Sequence, residues 1–198
     1  LFWDNARWGA ITHLSFDGNS KAASGAYFDV ESSVFESFIH HCDTGIYSGS
    51  HYHITNNLIE YCTDGIYARD WGYIAFNTMG HNLETSIMGT SSNNILILGN
   101  KDMGASASFV WIWGTDFDIT SSFNVLRGHT DSIYKIFGND SHIRIAYDLV
   151  DGDASAPHYV ETYTGKTISD VTVDHCSIQG LTGTVFLEAA AGTIQKKC

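Results

Sequence analysis

Carboxylates are the residues of this sequence best suited to chemistry. Asp43 and Asp64 each stand just ahead of a matching triplet, Gly45-Ile46-Tyr47 and Gly65-Ile66-Tyr67. Glycoside hydrolysis needs two carboxyl groups flanking the scissile bond, about 5 Å apart for retention and about 6.5–9.5 Å for inversion. If the matching triplets lie on adjacent rungs, Asp43 and Asp64 fall about one rung apart. Glu161 and Glu188 form a second candidate pair, placed near the inverting distance on neighbouring rungs. Asp131, two residues after His129, is a fifth carboxylate for the same face, and Asp29 and Glu84 are further options. Each competes with a plainer use, since an Asp beside a turn glycine commonly bonds its own backbone.

Other chemistries lack their signatures. The sequence holds no G-x-S-x-G, no P-loop and no dinucleotide fingerprint between a strand and a helix. No CxxC and no Cys/His spacing of a zinc site occurs, so no metal is expected. The histidines are scattered. His40-His41 and His51-Tyr52-His53 read as turn or solvent-facing residues. The run Asp148, Asp151, Asp153 could gather Ca2+, but it reads more simply as a solvated loop. Asn139-Asp140-Ser141 is a formal glycosylation sequon, meaningful only in a eukaryotic secretory setting.

What must position these groups is a repeat. VFESFIHHCDTGIYSGS from Val34 matches ITNNLIEYCTDGIYARD from Ile54, with Cys eight positions after each start and Gly-Ile-Tyr beyond it. Looser copies start at Ile11, Ile74, Ile97, Ile119, Ile145, Val173 and Ile194, at spacings of 20 to 28 residues. Short β-branched runs at that period are the unit of a solenoid. The runs alternate, as in Ile66-Tyr67-Ala68-Arg69, rather than following a helical period. Pro157, the single proline, falls in a long loop, where no ladder bond is lost. Three residues after the starts come Leu14, Ser37, Asn57, Asn77, Asn100, Ser122, Asp148 and Cys176, a column whose amides can bond along the solenoid axis.

On the Ile-x-x-Asn and Gly-Ile-x elements of residues 34–90, the sequence resembles the right-handed parallel β-helix, or pectate-lyase-like, superfamily. The resemblance implies an all-β, right-handed parallel β-helix of about eight coils. It spans residues 1–198 as one domain that reads as the interior of a longer chain, with both ends truncated. It also implies a carbohydrate-active protein. Lyases of this fold neutralise a uronate carboxylate with Ca2+ or cations and abstract the neighbouring proton with Arg, Lys or another base. Arg69 and Lys135 are the basic residues available for that here.

In such a fold outward positions repeat up the stack. Two columns follow the Gly-Ile elements. One is Tyr27, Tyr47, Tyr67, Met88, Trp111, Tyr134, Glu161 and Phe186. The other is Asp29, Gly49, Arg69, Thr90, Trp113, Lys135, Tyr163 and Glu188, and a bulge would exchange the facing of Tyr134 and Lys135. Tyr47, Tyr67, Trp111, Trp113, Tyr134 and Tyr163 are expected to offer rings to sugars, while Arg69, Lys135 and the carboxylates hold hydroxyls. A neighbouring subunit could cover the same sheet. Phage tailspikes resemble this architecture too and often trimerise, so a homotrimer is the competing use of the aromatics. Cys42 and Cys62 share one offset in consecutive coils and are disulfide candidates, as are Cys176 and Cys198. Unbridged, they would simply fill the interior.

Composition narrows the partner. The chain has 198 residues, 43% hydrophobic, 13% aromatic and 16% charged, which excludes a disordered chain. No apolar run is long enough to span a bilayer. A formal charge of −12, from 22 acidic and 10 basic residues, repels nucleic acid. It also disfavours a polyuronate relative to a neutral glycan. The expectation is a secreted or cell-surface glycoside hydrolase on a linear polysaccharide, needing no cofactor. The alternatives are a lyase or uronan epimerase, with Ca2+ as the one cofactor to consider, and a non-catalytic adhesin or tailspike-like scaffold.

Overall fold

A computed structural model of the chain describes residues 2–4, 9–90, 94–104, 107–115, 118–139, 142–151, 158–162, 167–188 and 191–197. It is a β-solenoid in which every strand pairing is parallel. Among the described residues there is no helix, hence none long and apolar enough to cross a membrane.

Three sheets form the walls. The isoleucine sheet stacks Gly9–Thr12, 32–35, 52–55, Gly72–Ala75, Ile95–Leu98, Asp118–Ser122, His142–Ala146, Thr167–Asp174 and Ala191–Lys197. The short sheet stacks 15–17, 38–40, Leu58–Glu60, Thr78–Gly80, Lys101–Met103, Val125–Arg127, Leu149–Asp151 and Ser177–Gln179. The tyrosine sheet stacks Phe2–Asp4, 26–28, 44–48, Asp64–Ala68, Thr85–Thr90, Ser108–Thr115, Tyr134–Asn139, His158–Thr162 and Thr184–Glu188.

Strand Ser15–Phe35 is 21 residues long and Phe38–Thr55 is 18. Straight, the longer one would reach about 70 Å, so each must bend. The bends fall at left-handed residues, among them Asn19, Ser20, Glu31, His41 and His51, all with φ between 50° and 58°. Inside, Ile39, Ile46, Ile54, Ile59, Ile66 and Ile74 are all buried. Each contributes about 1.5–3 kcal/mol through the removal of apolar surface from water.

The polar column also forms. The backbone N–H of Ser37 donates to Asn57 Oδ1, that of Asn57 to Asn77, that of Asn77 to Asn100 and that of Asn100 to Asn124. Side-chain amides bond in parallel, Asn57 to Asn77 at 3.0 Å and Asn77 to Asn100 at 3.1 Å. Asn124 ends the run on Asp148 Oδ1, while Tyr134 and Tyr159 donate their hydroxyls to Oδ2. Burial pushes the Asp148 carboxyl above its ordinary value, against these bonds.

Several expectations change here. The ladder residue is Asn124, not Ser122, because Ile97 pairs with Ser121 rather than with Ile119. Ser121 occupies an inward site and bonds both Tyr134 and Asn124, so a polar residue stands where the adjoining coils have Ile97 and Ile145. Ile194 likewise pairs with Val171, two places from Val173. Asp148 is buried and is no loop partner of Asp151, which instead pairs with Arg127. Cys42 and Cys62 are buried thiols with no disulfide between them, and the Cys176 sulfur accepts the Tyr159 hydroxyl at 3.4 Å. Pro157, Asp153, Tyr163 and Cys198 lie outside the described residues, as do Asp140 and Ser141 of the sequon.

Candidate functional site

The outward column of the tyrosine sheet runs Tyr27, Tyr47, Tyr67, Met88, Trp111, Lys135 and Glu161 by backbone register, and the backbone of Leu187 pairs with that of Glu161. Six rungs separate Tyr27 from Glu161, about 29 Å at the usual strand spacing, enough for an extended oligomer. Tyr134 is not in this column. It pairs with Val110, is buried, and points its hydroxyl at Ser121 and Asp148, so it is a core residue. Lys135 takes its place outward, the bulge alternative foreseen from the pattern. Phe186 is replaced in the register by Leu187. Glu188 pairs with Thr162, one residue past Glu161 and not two as expected from the columns, so the backbone register does not set the pair one outward column apart.

The rings are arranged differently from separate sugar platforms. Tyr27 and Tyr47 stack at 4.6 Å and 8°, and Tyr47 and Tyr67 at 4.7 Å and 8°. Both faces of Tyr47 are therefore covered by its neighbours. These tyrosines offer edges and hydroxyls rather than flat faces, and the Tyr67 hydroxyl bonds Thr90 Oγ1 at 2.8 Å. Trp111 is half-buried under Lys135, whose ammonium lies 5.3 Å from its ring centroid, and Phe137 meets it edge-on. Trp113, opposite Thr90 and Phe137, is 60% exposed and keeps an open ring surface.

Two polar groupings flank this ladder. At one end the Tyr27 hydroxyl bonds Asp29, and Arg69 lies close enough for its charge to act on Tyr27. The Asp29 bond raises the Tyr27 pKa above its ordinary value, partial burial adds to this, and Arg69 opposes it. Gly49 separates Asp29 from Arg69. A Cβ there would collide with the Asp29 carbonyl, so the residue between them carries no side chain. At the other end Lys135 is ion-paired with Asp131, and Ser132 donates to Glu161 Oε2 at 2.7 Å. His129, two residues before Asp131, is buried in the interior.

The remaining carboxylates line the corner that leads into the tyrosine sheet. Asp64 pairs with Thr44 and Thr85, Asp43 precedes Thr44, and Glu84 precedes Thr85. Asp43 and Glu84 are exposed, whereas Asp64 is half-buried and its Oδ1 is buried without a hydrogen-bond partner. Burial above all, with the charges of Glu84 and Asp43 behind it, pushes Asp64 up to about 7, and the Thr85 N–H opposes the rise. Asp64 and Arg69 are five residues apart on one extended segment, about 16 Å, so they do not act on the same atom.

Asp43 with Asp64, Asp29 with Arg69, and Asp131 with Lys135 thus make three separate groupings. Glu84 was only a secondary option from the sequence, and it becomes prominent because the coil stacks it beside Asp64. Among the described residues, a grouping of metal-ligating side chains lies off this face, at Asp17, His40 and His41 of the short sheet and its corner. The sequence signal was available there too: the offset of 23 that relates Leu14 to Ser37 also relates Asp17 to His40.

No protein-family model matches this chain, and no curated protein matches it. Among solved structures it is similar to the A-module of the mannuronan C-5 epimerase AlgE6 from Azotobacter vinelandii. The match has a TM-score of 0.54 at 11% identity and covers 93% of this chain and 73% of the other. At that identity the likeness speaks to architecture, and it agrees with the all-parallel ladders: the chain has the right-handed parallel β-helix fold.

Proposed function

We propose that this chain is a carbohydrate-active protein that binds a linear polysaccharide along the tyrosine sheet and moves a proton on a uronate unit, as an epimerase or lyase does. The observation that carries the reading is the Tyr27, Asp29 and Arg69 grouping, in which a phenol bonds a carboxylate and a cation stands two rungs along the same open face. Removing the proton next to a carboxylate builds negative charge there, and a fixed cation offsets it. Arg69 is the group to hold the substrate carboxylate, with Asp29 and the Tyr27 hydroxyl as the base and acid within reach. The structural neighbour is a mannuronan C-5 epimerase, which supports putting uronate chemistry ahead of the glycosidic hydrolysis expected from the sequence. A polysaccharide substrate implies a secreted or cell-surface location.

Hydrolysis is the second reading, favoured by Asp64. A carboxyl raised to about 7 beside the exposed Asp43 and Glu84 offers an acid next to groups able to act as base. One experiment separates the two. The chain is incubated with uronans and neutral glycans in deuterated water, and three products are read. Deuterium at the carbon beside the carboxylate reports epimerisation, ultraviolet absorbance reports an unsaturated uronate, and new reducing ends alone report hydrolysis. Arg69→Ala is expected to lower kcat/KM on uronans at least about 100-fold. Reducing ends from neutral glycans, lost in Asp64→Asn and kept in Arg69→Ala, would select hydrolysis instead.

A further inference from the structure

Asp17 and His40 are register partners on neighbouring coils, and His41 follows His40 directly. Successive side chains of a strand point to opposite sides, so sequence neighbours do not ordinarily converge. His41 is left-handed, with φ 54°, and that bend brings its ring back to His40. The two Nδ1 atoms are 2.7 Å apart. Asp17 Oδ1 lies 3.6 Å from His40 Nδ1 and 3.4 Å from His41 Nδ1. All three donor atoms fall within 4.8 Å of one another.

Each member is held in place. Asp17 Oδ1 accepts the Asn19 N–H at 2.8 Å. That bond, aided by the two imidazoles, keeps the carboxyl below its ordinary value and hence ionised. The His40 ring stacks on Phe38 at 4.3 Å, and His41 stacks on Tyr61 at 5.1 Å. Tyr61 stacks in turn on His81 at 5.0 Å, so the His41 plane belongs to a packed column. These stacks fix the plane of each ring, and the contacts to Asp17 and between the rings put Nδ1 of both toward the centre.

We propose that Asp17, His40 and His41 bind one Zn2+-class cation, which clips two neighbouring coils together and leaves a coordination position open to water. Two imidazole nitrogens and one carboxylate suit Zn2+ and its borderline neighbours, whereas Ca2+ and Mg2+ take oxygen ligands. The fit requires one small adjustment. The Nδ1 atoms must part from 2.7 Å to about 3.3 Å, the separation of two nitrogens about 2.05 Å from a tetrahedral metal. The exposed His41 and Asp17 side chains, at 43% and 57%, leave room for it.

The test is calorimetric titration of the full chain with Zn2+ after chelation and dialysis, together with thermal melts. His41→Ala and Asp17→Asn are run beside His53→Ala, an exposed histidine on another sheet. Asp17→Asn keeps an acceptor for the Asn19 N–H and so preserves the turn, and melts without metal check that each variant folds. One Zn2+ per chain is expected, with affinity lowered at least about 10-fold in His41→Ala and in Asp17→Asn and unchanged in His53→Ala. Excess Zn2+ raises the wild-type Tm by several degrees, because a ligand of the folded state stabilises it, and leaves that of His41→Ala in place. No binding, equal binding by His41→Ala or Asp17→Asn, or a matching loss in His53→Ala overturns the proposal.

Discussion

Replacing Asp64 by Asn separates the cost of a half-buried charge from everything else at the corner of the tyrosine sheet. The wild-type carboxyl rises from 3.8 to about 7 on folding, and at about 1.4 kcal/mol per unit the full shift corresponds to about 4 kcal/mol. Asp64 is partly open to solvent, so screening reduces this to about 2 kcal/mol. The sign follows from the direction. A carboxyl raised in the folded state contributes stability that is complete below its unfolded value and is lost as pH climbs through the folded one. Asparagine stays neutral throughout and can still accept the Thr85 N–H. Asp64→Asn should therefore match the wild type near about pH 4 and exceed it by about 2 kcal/mol near about pH 8. Urea unfolding of both proteins at intervals across that range measures the difference directly. Curves that run parallel at every pH would refute the reasoning, and with it the case for Asp64 as a proton-carrying group.

Asn77→Leu should cost about 3–5 kcal/mol in urea unfolding. It leaves the Asn57 N–H and the Ile54 carbonyl of a buried ladder without partners, and each stranded group costs about 1–3 kcal/mol. Trp113→Ala should weaken glycan binding at least about 10-fold in affinity electrophoresis, as loss of an aromatic contact does. Its Tm should stay within a few degrees of the wild type, since the ring is 60% exposed.

The architecture was legible because the coils from Val34 to Ile97 keep nearly the same length and the same landmarks. Tyr47 over Tyr67, and Asn57 under Asn77 and Asn100, follow from aligning like with like. Legibility failed where inward sites became polar. Ser121 stands at a position that is Ile97 and Ile145 in the adjoining coils, so the β-branched pattern points to Ile119 as the start and to Ser122 in place of Asn124. The same slip put Tyr134 outside. A tyrosine in an outward-looking row reads as surface, and the Ser121 hydroxyl and Asp148 carboxylate, reached across the interior, explain a phenol in the core. The candidate site was legible as a list and not as groupings. Column alignment places Arg69 above Gly49 and Asp29, yet it says nothing of side-chain reach. It also cannot tell that tyrosine rings one rung apart will lie on each other and cover the faces a sugar would use. Cys42 and Cys62 were correctly aligned, and they remain thiols all the same.

Asp148 sets a limit on how far one end of the molecule can support the other. Up to Asn124 each amide both accepts and donates, so strain in one coil is relayed to the next. A carboxylate has nothing to donate, and Asp148 spends both oxygens on Asn124, Tyr134 and Tyr159. Toward the Cys176 coil the amide relay stops, and the links are Tyr159 donating to Cys176 Sγ at 3.4 Å, the Ser177 N–H on the Asp148 carbonyl, and the continuing parallel ladders. The amide column thus ends at Asp148 while the strand ladders carry the stack onward, so unravelling that begins beyond Asp148 should slow there before it reaches the tyrosine stack.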